Sequence, residues 1–291
     1  MVTTAGSGAM GHSEGVETET LPEIPVDVDF AHAWGVTDAE RTLHTQGDAE
    51  HVWPLASVSK PLAALGTLVA VERGLVDLDE PAGPEGATVR HLLAHTAGYA
   101  FDGDEVVGGV GARRIYSNTG FEVLAAHVEE STGYDFPEWI EQTVVEALDL
   151  TDLEVTGSPA AGYRGSVRDL LVVGRELLAP TLISTELWRE ATSVQFPGLA
   201  GILPGYGRQK PNDWGLGVEI RGEKDPHWTG SGSSPQTFGH FGQSGSFLWV
   251  DPARGLCAAF LGEEPFGPEH VRVWPGLTDA VLERFGGAEA R

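Results

Sequence analysis

Residues 57–72 read SVSKPLAALGTLVAVE, and the fold turns on how they are taken. The run is apolar after Lys60 and stops at Arg73-Gly74, a basic residue followed by one that tolerates the left-handed conformation after a helix. The spacing predicts a helix over 57–72. Residues three apart share a helix face, so the Ser57 hydroxyl and the Lys60 amine can meet. A serine hydroxyl is a weak nucleophile at neutral pH and needs a base beside it, and a lysine serves once burial or nearby positive charge lowers its pKa. The helix N-terminus adds backbone N–H groups for a developing oxyanion. The competing reading is a serine cap followed by a solvated lysine. Composition weighs against it. Lys60, Lys210 and Lys224 are the only lysines in the chain, and Lys60 stands between the apolar segments 52–55 and 61–65.

Composition limits what such a helix can serve. The 291 residues carry 18 Lys and Arg against 43 Asp and Glu, a net charge of −25, with 41% hydrophobic residues. That is too apolar for a disordered chain and long enough for one large domain or two lobes. The negative surface disfavours nucleic acid and anionic membrane as partners. A single cysteine, Cys257, closes no internal disulfide and sits in an apolar strand, where a thiol is inert. Residues 1–22 are polar, without a basic or apolar targeting pattern, and are expected to be a disordered tail. The longest apolar run, 61–71, is well short of the roughly 20 residues a membrane helix needs. The expectation is a soluble cytoplasmic protein with no cofactor or metal.

Outward from the helix, residues 30–47 alternate loosely and read as an antiparallel pair of strands. Helical patterns follow over 88–95, 119–132, 136–148 and 170–178, the last behind a capping box at Ser166 and Asp169. Period-two segments return at 214–220, 247–250 and 256–261, and a final helix begins at about Val273. The order predicts an α+β fold of the α/β sandwich type: an antiparallel sheet built from both chain ends, flanked by helices. Residues 23–80 with 206–291 would form the α/β lobe, 81–205 a mainly helical lobe, with the active site between them.

Two further motifs carry chemistry. Tyr116-Ser117-Asn118 follows a Gly-rich loop and precedes a helix; a phenol whose pKa a nearby ammonium lowers can relay a proton, and a carboxamide can orient a substrate carbonyl. Asn118 could equally be a helix cap. Gly239-His240-Phe241-Gly242-Gln243-Ser244-Gly245 leads into a strand, its glycines permitting close approach of a ligand. Loops 201–210 and 225–236 suggest a pocket, with Trp228, Tyr206 and Phe241 as candidates to line it.

In that chain order, Ser57-x-x-Lys60, Tyr116-x-Asn118 and His240-x-Gly242 resemble the serine β-lactamase and penicillin-binding-protein superfamily, in particular its β-lactamase-related esterases and D-amino-acid peptidases. The segments 75–79, 88–98, 115–120 and 238–245 look like the family's flanking text, and the resemblance spans roughly Phe30 to Gly262. It implies the β-lactamase-like fold and an acyl-enzyme mechanism. Ser57 matches the nucleophile and Lys60 its base; Tyr116 matches the residue that passes the proton to the leaving group. Asn118 matches the carboxamide facing the acyl side, and His240 and Gly242 the third motif. The backbone N–H groups of Ser57 and Gln243 match the oxyanion hole. Most true β-lactamases place lysine at the position of His240 and a small hydroxyl residue at that of Phe241, although some DD-peptidases carry the histidine. A neutral imidazole anchors a carboxylate weakly, which favours small neutral esters or amides as substrates.

Alternatives are weaker in the residues themselves. His91 and His95 have the spacing of a helical zinc pair, but Leu92 stands where the catalytic glutamate belongs. No Gly-x-Ser-x-Gly elbow stands between a strand pattern and a helix pattern. Asp102-Gly103-Asp104-Glu105 lacks the periodicity of a calcium loop and reads as a solvated turn. Loss of turnover, leaving a binding module of the same fold, is the non-enzyme alternative.

Overall fold

The structure is a computed structural model and describes residues 23–287; the tail expected over 1–22 lies outside them. The chain opens with β1 (His32–Thr37), β2 (Thr42–Gln46) and the short β3 (Trp53–Pro54). A tight turn over Ala56–Val58 runs directly into α1 (Ser59–Glu72), so Ser57 precedes the α-helix proper by two residues. A helical stretch follows: α2 (Val89–Leu93), α3 (Thr119–Thr132) and α4 (Phe136–Ile140), then β4 (Arg164–Gly165), α5 (Val167–Leu178) and α6 (Thr185–Ala191). The hairpin β5 (Gly201–Leu203) and β6 (Gly207–Gln209) leads to β7 (Glu219–Ile220), β8 (Phe238–Gly242), β9 (Ser246–Asp251), β10 (Leu256–Gly262) and α7 (Pro268–Phe285).

The main sheet is antiparallel throughout, in the order β2-β1-β10-β9-β8-β7. Strand β1 pairs with β10, setting Trp34 opposite Phe260, so the two chain ends share one sheet. Strand β10 is apolar at every residue from Leu256 to Leu261 because both of its faces are covered. Successive side chains point to opposite faces. Leu256, Ala258 and Phe260 pack with Trp274, Leu277 and Val281 of α7, while Cys257, Ala259 and Leu261 pack into the core shared with α1 and α5. Strand β9 alternates in the same way, Phe247 and Trp249 to one core, Leu248 and Val250 to the other. This is the layered β-lactamase-like α+β architecture that the sequence predicts. Cys257 is buried and free, and burial pushes its thiol pKa up.

Several local expectations change. Of the segment read as a strand over 214–220, only Glu219–Ile220 is one. Gly217 holds a φ of +83°, with its amide donating to the Leu93 carbonyl, and a Cβ there would lie 2.1 Å from that of Ala64. The chain is pressed against α1 rather than extended. The pattern over 136–148 is α-helical only to Ile140 and then widens to a π-type turn over Glu141–Val145. Helix α7 starts at Pro268, five residues before the expected Val273, because proline fits the first turn of a helix, where no amide partner is missing. The capping box at Ser166 is half formed. Ser166 Oγ accepts the Asp169 amide at 3.1 Å, but the Asp169 carboxylate turns away to accept the amides of Asp152 and Leu153 at 2.6 and 2.9 Å.

Helix α5 lies close on the sheet at Gly174, where an added Cβ would be 2.3 Å from Cys257 Sγ. Overpacking of this kind costs about 1–3 kcal/mol. Gly174→Ala is therefore expected to lower the thermal midpoint by several degrees, and Cys257→Ala in the same chain to restore part of the loss, as read by calorimetry.

Candidate active site

The turn that carries Ser57 is fixed from three sides. Its start is tied to the helical segment by the Leu55 amide, which donates to the Tyr163 carbonyl at 2.9 Å. On the sheet side, Ser246 Oγ donates to the Leu55 carbonyl at 2.8 Å. Gly242 at the end of β8 lies so near that a Cβ would come within 2.5 Å of the same carbonyl oxygen. The third motif and the Ser57 turn therefore need glycine where they meet. Between them Ala56 holds a φ of +45°, a region that costs a side-chain-bearing residue about 1 kcal/mol or more.

Lys60 enters the core in the first turn of α1 and is fully buried. Its Nζ donates to Asn118 Oδ1 at 2.6 Å and to the Ala160 carbonyl at 2.9 Å, and lies 4.6 Å from the centroid of the Tyr116 ring. Burial is the largest influence on it, with Asp102 and Glu122 opposing, and its pKa is pushed down to about 7. The solvated-lysine reading is thereby excluded. Asn118 stands at the N-cap of α3, but its side chain makes no cap hydrogen bond. Ser117 Oγ takes the Gly120 amide instead, at 3.0 Å, which frees the Asn118 carboxamide.

Tyr116 departs from expectation. The phenol pKa is raised rather than lowered, because burial outweighs its hydrogen bond with the Ser57 side chain. Tyr116 is thus a protonated donor at rest. Its oxygen stands 3.3 Å from His240 Nε2, while His240 Nδ1 meets the Phe241 carbonyl at 2.7 Å. A carbonyl only accepts, so Nδ1 carries the proton and Nε2 accepts from the phenol. Burial and the Lys60 charge hold the His240 pKa down to about 3, leaving a neutral ring.

Ser57, Tyr116, His240 and Gln243 border one cavity of about 290 Å³. The Gln243 carbonyl accepts the Phe266 amide at 2.9 Å, which fixes that peptide. The cavity is walled mainly by Phe101, Leu203, Pro204, Trp214 and Phe241. Of the three aromatic residues expected to line a pocket, only Phe241 does. Tyr206 packs edge-on behind it, and Trp228 is buried with its Nε1 donating to Glu219 Oε2 at 2.6 Å. The loop over 225–236 is anchored by that contact and by His227 Nε2, 2.9 Å from Glu219 Oε1, and the segment 201–210 forms the β5–β6 hairpin. Trp214, Phe101 and Glu219 were not marked by any motif.

Asp102 was read as a solvated turn, and its carboxylate is indeed on the surface side of the site. Its Oδ1 nevertheless accepts from Asn118 Nδ2 at 3.0 Å, which fixes the carboxamide with its oxygen toward Lys60. The two histidines considered as a zinc pair have separate partners: His91 Nδ1 meets Thr88 Oγ1 at 2.8 Å, and His95 Nδ1 accepts the Ser117 amide at 3.2 Å. The second ring supports the Tyr116 turn rather than reaching toward the first.

A family model described as Beta-lactamase matches residues 27–282. A solved structure of a beta-lactamase from Mycobacterium bovis is 48% identical, with a TM-score of 0.87 over 88% of this chain and 95% of that one. The octameric penicillin-binding protein homologue from Pyrococcus abyssi has the same fold at 17% identity, with a TM-score of 0.71 over 89% of this chain and 74% of that one. A penicillin-binding protein of Bacillus subtilis (strain 168) is 28% identical over 151 residues, covering 40% of this chain and 33% of its own length. The chain spans between 33% and 47% of the length of the curated relatives it matches.

The Asp102 contact makes a testable statement about pH. Its negative charge raises the Lys60 pKa against the effect of burial. Asp102→Asn removes that charge, so Lys60 loses its proton at lower pH. Lys60 is expected to titrate near pH 7 in the native chain and at lower pH in the variant, as measured by NMR of the labelled lysine side chain.

Proposed function

The chain belongs to the beta-lactamase family of serine hydrolases, and within it we propose an enzyme that cleaves small esters or amides through an acyl-enzyme on Ser57. The observation that carries this reading is the buried Lys60, held beside the Ser57 turn with its pKa pushed down to about 7. An amine in that state is a base at neutral pH. In the proposed cycle, Ser57 Oγ attacks the substrate carbonyl carbon and its proton passes to Lys60. The tetrahedral oxyanion is received by the backbone N–H groups of Ser57 and Gln243. Tyr116, protonated at rest, gives its proton to the departing alkoxide or amine and recovers one from Lys60. Water then attacks the acyl carbon, its proton returning through the same pair, and releases the acid and free Ser57. Asn118 orients the acyl group while holding Lys60, and Gly242 keeps β8 against the Ser57 turn. In this reading the active site lies between the lobes that the sequence leads one to expect over 23–80 with 206–291 and over 81–205, and its substrate is a small molecule.

The neutral state of His240 favours esters and simple amides over substrates with a carboxylate next to the reacting centre. A cation at this position would anchor such a carboxylate, whereas a ring with a pKa of about 3 does not. The high similarity to a beta-lactamase over 95% of that chain favours a second reading, in which the acyl donor is a β-lactam ring or a D-alanyl peptide. The same proposal places the protein in the cytoplasm, where its single buried thiol stays reduced; cell fractionation checks this.

Short p-nitrophenyl esters, D-amino-acid amides and a chromogenic cephalosporin offered in parallel separate the two readings, with esters expected to turn over fastest. A serine-directed phosphonate should label Ser57 in the native chain, as located by mass spectrometry, and Ser57→Ala should neither label nor hydrolyse. Lys60→Ala and Tyr116→Phe are each expected to lose at least ~10²-fold in kcat/KM. Ester hydrolysis surviving in Ser57→Ala would overturn the assignment.

A further inference from the structure

A larger groove of about 670 Å³ adjoins the active-site cavity and shares Phe101, Tyr116 and Pro204 with it. Its composition inverts that of the chain. Three arginines, Arg113, Arg114 and Arg208, border it, and among the described residues no Asp or Glu does, in a protein with 43 acidic residues against 18 basic ones. Arg114 is internal, with its guanidinium donating to the carbonyls of Asn212 and Gln195, each at 2.7 Å. The other two are exposed. Arg113 spends one donor on the Val107 carbonyl at 3.2 Å, and Arg208 has no ion pair or side-chain hydrogen bond among the described residues. A guanidinium has five N–H donors, so most of this capacity faces the groove and solvent. Elsewhere Arg90, Arg164, Arg168 and Arg272 each meet a carboxylate within 3.1 Å.

The walls make a second, independent observation. Phe101, Val107 and Ile202 all border this groove and are 51%, 40% and 67% exposed, among the most exposed large apolar side chains in the protein. Exposed apolar surface gathered beside unpaired cations fits a ligand that is apolar along its length and anionic at its end.

We propose that the groove is a second substrate subsite, which takes an apolar stem ending in a carboxylate or comparable anion, attached to the ester or amide cleaved at Ser57. This deepens the hydrolase reading and rests on it. The stem lies against Phe101, Val107 and Ile202, and the anion is shared by Arg113 and Arg208, whose planar forks match a carboxylate. The anion is held away from the neutral His240, so an uncharged reacting centre and a charged far end are compatible.

The test uses two matched pairs of substrates. Mono-p-nitrophenyl adipate against its methyl-capped ester places the anion on the acyl side; 3-(4-acetoxyphenyl)propionate against the corresponding propionamide places it on the leaving-group side. In at least one pair the acid is expected to be preferred about 10-fold or more in kcat/KM at low salt. That preference should shrink below about 3-fold in 0.5 M NaCl and in the Arg113→Gln/Arg208→Gln variant, since exposed charge pairs are screened. Preference for the neutral member in both pairs would overturn the proposal, as would a preference indifferent to salt and to the double variant. The salt series needs only the native chain, so it stands even if the variant folds poorly. Hydrolysis of the neutral esters without any acid preference sinks the subsite alone, whereas no Ser57-dependent hydrolysis of any of the four sinks the hydrolase reading.

Discussion

Taking an ammonium group out of water costs several kcal/mol, and the site is organised around how the Lys60 cost is offset. Two acceptors from separate parts of the chain, Asn118 Oδ1 and the Ala160 carbonyl, meet one nitrogen. The faces of Tyr116 and Phe121 complete its surroundings at 4.6 and 5.6 Å. These contacts lower the energy of the charged form without restoring what water would give, which is why the two protonation states come near balance at neutral pH. The arrangement holds only while Asn118 keeps its oxygen inward, and that orientation belongs to Asp102, which accepts from the other end of the carboxamide. One amine therefore ties together the start of α1, the start of α3, the turn at 101–103 and the loop at 160.

What the sequence made legible follows from the same physics. Ser57 and Lys60 could be singled out because a proposed nucleophile and its base are three residues apart, and that requirement is written in spacing. Strands β9 and β10 were located as period-two segments, and the structure shows why residues 247–250 and 256–261 are instead apolar without a break: both faces of the sheet are covered. The segment at 214–220 misled because its alternation says nothing of Gly217, which turns the chain against Ala64. Tyr206 and Trp228 were named for the cavity, and Trp214 and Phe101 line it, since an aromatic residue in a loop carries no signal of direction. Tyr116 was expected to be a lowered phenol because charge was weighed and burial was not visible. Asp102 was missed because its partner is 16 residues away and its role is geometric.

Net charge is an average, and the site departs from it in both directions. At the proposed reacting centre burial leaves the histidine neutral and holds the lysine pKa down to about 7. In the adjoining groove the wall gathers arginines and, among the described residues, no acids. A surface of −25 keeps the protein dispersed and repels bulk anions, while a short cationic stretch within it gives a small anion one favourable place to settle.

The backbone at Ala56 has a consequence for how the proposed nucleophile is held. An alanine at a φ of +45° stays there only because its neighbours leave it no alternative. Here the neighbours are the Tyr163 carbonyl on one side and Ser246 with Gly242 on the other. The position of Ser57 is thus a property of two segments about 80 residues apart from each other in sequence, closing on it like the jaws of a vice. Changes far from residue 57 that loosen either jaw would let the turn relax and carry the hydroxyl away from its partners, with every residue of the motif still in place.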